Sequence, residues 1–172
     1  IAVTRVAMHP RFSFANYAAS RATADVALVR LAAPLPDIMP AATLAEPRRV
    51  AVGETLTIAG FGVTKSGTPI GLGIPREARL AVTGRPGSLQ IRLFDPATRN
   101  MRPGLGACTG DSGAPAFETD ATGTLRVLGV VSWSTAPNDE EGCGGLTGVT
   151  PLVLYRGWIE DTARKLGAPL SR

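Results

Sequence analysis

Ser112 stands in the run Ala107-Cys108-Thr109-Gly110-Asp111-Ser112-Gly113-Ala114-Pro115. A serine that attacks a carbonyl needs an exposed hydroxyl beside backbone N–H groups that can receive an oxyanion. Glycines on either side permit the tight bend and the close substrate approach that such a site demands. The neighbouring Asp111 can anchor the bend by accepting backbone or cationic partners. The plain alternative is an ordinary glycine-rich turn. At average residue frequencies Gly-Asp-Ser-Gly arises by chance in roughly a few chains per thousand of this length. Two other residue types bear on chemistry. Cysteine occurs only at 108 and 143, too far apart for a CxxC knuckle, and His9 is the single histidine. A structural zinc site therefore lacks ligands, and spacing alone leaves a disulfide and a pair of buried thiols equally open.

These residues need elements to hold them. The chain has 172 residues, 44% hydrophobic and 19% charged, which suits one or two packed domains and excludes a disordered chain. Its 20 glycines and 14 prolines are dispersed without a collagen period, as expected for many turns and short strands. The formal charge is +4, carried mostly by scattered arginines, so no nucleic-acid surface is indicated. No apolar run reaches the roughly 18 residues of a membrane-spanning helix. No signal-peptide pattern opens the chain at Ile1.

Residues 1–8 read as a strand ending at His9-Pro10, 11–24 as a surface loop, and 26–31 as a buried strand opened by Asp25. Four prolines, Pro34, Pro36, Pro40 and Pro47, make the following stretch an extended connector. Strand-like pieces follow at 54–59, 77–83, 88–94, 114–118, 125–133 and 146–153, a spacing that suits an antiparallel sandwich or barrel. The apolar spacing from Tyr155 to Leu166, closed by Gly167, predicts a helix.

Taken in order, Asp25-Val-Ala-Leu-Val-Arg-Leu, Gly60-Phe61-Gly62, Gly-Asp-Ser-Gly-Ala-Pro, Gly129-Val-Val-Ser-Trp-Ser134, Cys143, Gly148-Val-Thr and a final helix with Trp158-Ile159 resemble the trypsin/chymotrypsin-like serine peptidases. The resemblance runs from about Val3 to Leu166. It implies an all-β fold of two Greek-key antiparallel barrels, the first incomplete in this chain, with a C-terminal helix. The expected division is 1–35 for the last strands of the first barrel, 36–50 for the connector, 51–153 for the second barrel and 154–172 for helix and tail.

Residue by residue, the resemblance implies that Ser112 is the nucleophile and that Asp25 orients the catalytic imidazole. It makes the N–H groups of Gly110 and Ser112 the oxyanion hole. Ser132, Trp133 and Ser134 become the strand that pairs with substrate backbone. Cys108 and Cys143 become a disulfide bracing the specificity pocket. Gly106, six residues before the nucleophile, takes the pocket floor, followed by Ala107. No aspartate stands there to neutralise Arg or Lys, and burying such a cation unpaired costs several kcal/mol. With Ser134 as a small bump on one wall and Gly148 keeping the other open, medium or large apolar side chains are the expected preference. Ala114 in place of a second glycine, and Thr150 in place of a tyrosine, are departures that tune the pocket. Neither cofactor nor metal is implied. The loop Asp139-Glu140-Glu141 reads as a solvated turn.

One departure is larger. The family carries its general base 40–50 residues before the aspartate, whereas only 24 residues precede Asp25. His9, in Met-His-Pro, matches a surface His-Pro pair that has no part in catalysis. The expectation is a secreted or periplasmic serine endopeptidase whose histidine comes from a preceding segment or separate chain, and which is inactive without it. Ile1-Ala-Val-Thr does not match the start of activated members, so the partner of Asp111 is expected in that same segment. The partners implied are a peptide or protein substrate and the histidine-bearing segment. The alternative is a catalytically inactive module of the same fold that binds peptides or a protein.

Overall fold

The computed structural model describes residues 1–19, 21–39 and 41–170. Its elements in chain order are β1 (Val3–Met8), α1 (Phe14–Ala18), β2 (Ala27–Leu31), β3 (Thr55–Gly60), β4 (Arg76–Thr83), β5 (Ile91–Phe94), β6 (Pro115–Thr119), β7 (Leu125–Ser134), β8 (Thr147–Thr150) and α2 (Arg156–Lys165).

Strands β3 to β8 close into an antiparallel barrel in the order β3-β4-β5-β8-β7-β6, sealed where Thr57 and Ile58 of β3 pair with Phe117 and Ala116 of β6. Alternation supplies the interior. Leu56 and Ile58 of β3, Leu80 and Val82 of β4, and Ile91 and Leu93 of β5 are buried, meeting Leu128, Val131 and Val149 from the far side. Side chains two apart on a strand share a face, so each strand commits one face to this core. Burying each such aliphatic side chain favours folding by about 1.5–3 kcal/mol.

β1 and β2 form a separate two-stranded antiparallel sheet, Val6 opposite Val29 and Met8 opposite Ala27. A second apolar cluster fastens its lower end. Ala24 and Val26 pack with Val127, Leu152, Tyr155 and Ile159, joining the end of the hairpin to β7 and α2. α2 turns Ile159, Thr162 and Ala163 inward and carries Arg164 and Lys165 in its last turn, where cations complement the helix dipole. The Pro-rich stretch, expected to be extended, is not so throughout, because Met39 N–H closes a turn onto Pro36 O at 2.8 Å; Pro40 lies outside the described residues. Its end lies along β7 through Ala45 N–H to Val127 O (2.9 Å) and Val127 N–H to Thr43 O (2.8 Å).

Other local expectations differ from the structure. The strand expected to be buried over 26–31 is not: no residue of β2 is buried and Val29 is exposed, because β2 pairs with β1 alone in a two-stranded sheet. The loop 11–24 contains the short helix α1, whose N-cap Ser13 accepts the Asn16 amide at 3.2 Å. Residues 88–90 are not strand, because Gly87 N–H closes a turn onto Gln90 O at 3.0 Å. The strand expected over 146–153 ends at Thr150, and Leu152–Leu154 form a single 3-10 turn that leads into α2.

Candidate active site

The turn before β6 is built by its glycines. Gly110 and Gly113 have φ of +93° and +84°, a left-handed region that side chains disfavour, so Ser112 sits between two reversals and stands exposed. Gly113 N–H donates to Val131 O and Val131 N–H to Ala114 O, both at 2.8 Å, stitching the turn to β7. The next residue along β7 is Ser132, whose hydroxyl donates to Asp25 Oδ2 at 2.6 Å. Ser112 and Asp25 are therefore brought to the same short stretch of β7 from opposite ends of the chain. Among the described residues, neither the Gly110 nor the Ser112 amide donates a hydrogen bond within the chain.

Asp111 finds hydrogen-bond partners inside the chain. Its carboxylate accepts the Gly62 amide at 2.7 Å and the Cys108 amide at 2.9 Å. Gly62 must be glycine for steric reasons, since a Cβ there would stand 2.7 Å from the carboxylate. The loop is latched from behind. The Arg76 guanidinium donates to the carbonyls of Gly62 and Gly71, so β4 holds the segment that holds Asp111. In the sequence Gly60-Phe61-Gly62 is a motif without a role, and Arg76 is singled out in no way. The repeated glycine of Gly-x-Gly at the end of a strand is the clue to the first; nothing local points to the second.

The pocket residues divide. Cys108 and Cys143 form a disulfide across 35 residues. Ala107 N–H donates to the hydroxyl of the fully buried Thr147 at 2.9 Å, fixing the strand next to Gly106. A Cβ on Gly106 would meet Thr147 Oγ1 at 3.3 Å, with the Gly145 carbonyl and Gly144 Cα next; no carboxylate is among these neighbours. Ser134 turns its hydroxyl onto Gly142 O at 3.1 Å, tying β7 to the loop before Cys143. Gly148 departs from expectation. A Cβ there would fall inside the Trp133 indole, so that wall is covered by the ring and not open. The cause is a bulge: β7 and β8 slip register between Val131 and Trp133, setting Trp133 directly opposite Gly148. Gly106 lines a cavity of about 270 Å³ shared with Asp111, Arg76 and Cys143, and neither Trp133 nor Gly148 borders it.

His9 is not a surface residue. It is buried at 8% exposure, edge-on to Tyr155 and Trp158 with ring centroids 5.0 and 4.8 Å away. Its Nδ1 accepts the Arg11 amide at 3.1 Å. Burial, with help from the Arg11 charge, lowers its pKa below the ordinary 6.5 and keeps the ring neutral. It is a core histidine pinning the hairpin to α2, with no contact to Ser112.

Comparison with known proteins decides the family. The family model described as Trypsin matches residues 1–159. The chain belongs to the trypsin family of serine proteases. Vitamin K-dependent protein C of Equus caballus is 31% identical over 84% of this trypsin-family chain and 92% of that protein's length. Transmembrane protease serine 11G of Rattus norvegicus is 27% identical over 85% of the chain, which spans only 36% of the rat protein. Among solved structures, human heparin binding protein superposes with a TM-score of 0.71 at 22% identity, covering 99% of this chain and 69% of that one. That likeness carries the fold: one closed six-stranded barrel, a partial second sheet and a C-terminal helix.

Proposed function

We propose that this trypsin-family chain carries the nucleophile half of a serine endopeptidase. Ser112 Oγ attacks the scissile carbonyl while an imidazole takes its proton. That imidazole then protonates the departing amine, leaving an ester on Ser112 that water hydrolyses by the same route. Asp25 orients the imidazole and stabilises its charged form. The amides of Gly110 and Ser112 receive the oxyanion. Since the one histidine of these residues is caged by Tyr155 and Trp158, the imidazole comes from residues outside the 172.

The observation that carries this reading is the link Gly113–Val131–Ser132–Asp25, which holds nucleophile turn and carboxylate to one strand. The two unengaged amides beside Ser112 support it further. Gly106 itself brings no carboxylate to the expected pocket floor, and none is among the three atoms nearest it, which supports cleavage after apolar residues; the carboxylates that border the same cavity, Asp111 and Glu77, come from the turn before Ser112 and from β4. Ser132 to Ser134 provide the edge for substrate backbone. The disulfide favours an oxidising location, secreted or periplasmic.

The test is a fluorophosphonate probe on the full-length protein. Labelling at Ser112, lost in Ser112→Ala and reduced at least about a hundredfold in Asp25→Asn, is the expected result, rising above about pH 6–7 as an ordinary histidine deprotonates. An unlabelled full-length protein that still captures peptides would overturn the enzyme and establish the inactive binding module. Peptide profiling with cleavage chiefly after Arg or Lys would overturn the apolar preference alone.

A further inference from the structure

A second concavity shares no residue with the Ser112 site. It is a groove of about 470 Å³ where the end of the connector, the turn before β5 and the 3-10 turn before α2 converge. Its floor is aliphatic, with Val50, Ile91, Val153 and Leu154. Its rim is cationic, with Arg48, Arg49 and Arg85, and no acidic side chain lines it.

The three arginines are not equivalent. Arg48 is neutralised, its guanidinium 2.7 Å from both Glu54 and Glu118. Hydrogen bonding to Arg48 holds the Glu54 carboxyl below the usual carboxylate range. Arg49 and Arg85 are exposed, and among the described residues neither has a carboxylate within ion-pair distance. An apolar trough flanked by two uncompensated guanidiniums has a definite complement. The ligand needs anionic groups at the rim and an aliphatic side chain between them. Guanidinium forks favour carboxylates in bidentate geometry.

We propose that this groove docks an extended acidic peptide segment, its carboxylates on Arg49 and Arg85 and an aliphatic side chain on the floor. A sulfated saccharide would satisfy the rim but leave the floor uncovered, so the apolar lining argues for the peptide. On this proposal the groove selects a protein partner or a remote part of a substrate, independently of whether Ser112 is catalytic.

The experiment uses the full-length protein as Ser112→Ala, which prevents cleavage, and fluorescence polarisation of a labelled octapeptide alternating Glu and Leu. Saturable binding is expected, weakened about tenfold or more by R49E/R85E and by about 0.5 M salt. A peptide alternating Glu and Ser should bind about tenfold more weakly, because it leaves the floor wet. Should the double reversal unfold the chain, R49Q/R85Q carries the same expectation with a smaller loss. Absence of saturable binding, or binding indifferent to both arginines, overturns the proposal. So does an equal affinity for the Glu–Ser peptide or a sulfated octasaccharide, either of which would make the rim a general anion site.

Discussion

The barrel and the β1–β2 sheet are both antiparallel and both rich in Val, Leu and Ala, yet they are held in opposite ways. In the barrel every strand has two neighbours, and one face of each is buried. In the hairpin each strand has one neighbour, and Val3, Val6, Met8 and Val29 are exposed by half or more. What fixes the hairpin is its base, where Ala24 and Val26 join the second cluster and His9 enters its aromatic cage. Asp25 lies in that base. The carboxylate is thus held by the part of the hairpin that borrows the barrel's rigidity, and Ser132 makes the connection directly.

That contrast can be broken by experiment. Replacing Cys108 and Cys143 by serine opens a 35-residue loop within the barrel half and should cost about 4 kcal/mol in denaturant unfolding. Leu93→Ala, at a fully buried position, should cost about 3 kcal/mol, against less than about 0.5 kcal/mol for Val6→Ala in the hairpin. Equal losses for Leu93→Ala and Val6→Ala would mean that the hairpin is packed as tightly as the barrel. Ser132→Ala severs the bond between the regions and should cost about 1–3 kcal/mol. Hydrogen exchange should quicken at Ala24–Val26 and stay unchanged in β4 and β5; uniform quickening would deny the junction its local character.

The smallest effect is pH-dependent. Because burial lowers the His9 pKa below 6.5, the unfolded chain binds a proton that the folded chain refuses. The contribution of His9 is whole above about pH 6.5 and is lost as pH falls through the lowered folded value. Melting followed from pH 7.5 to 5 should show this decline, and His9→Phe should flatten it. An unaltered slope in His9→Phe would place the titration elsewhere.

Much of this was legible in the chain because it is local. Leu56 and Ile58 alternate with threonines, α2 repeats its apolar residues at helical spacing, and Gly-Asp-Ser-Gly sets a turn by backbone preference. What escaped depends on register and on distance. The bulge that puts Trp133 over Gly148 shifts one strand by one residue, and no composition rule fixes such a slip. His9 looked like a surface residue because Tyr155 and Trp158 lie some 150 positions away in sequence. The five-residue α1 is too short to carry a period and rests on one cap. The hydrogen bonds to Asp111 escaped because their donors are backbone amides, which every residue carries and no sequence advertises.

Barrel closure decides where these residues can add strands. A sheet that ends on itself offers little vacant peptide edge for another chain to extend; among the described barrel strands the short end of β7 past Val131, beyond its pairing with β6, is one such stretch. The outer margins of β1 and β2 are longer, and there backbone pairing with a neighbour can propagate. Misassembly of the isolated polypeptide should therefore begin at the hairpin and leave the six-stranded cylinder intact.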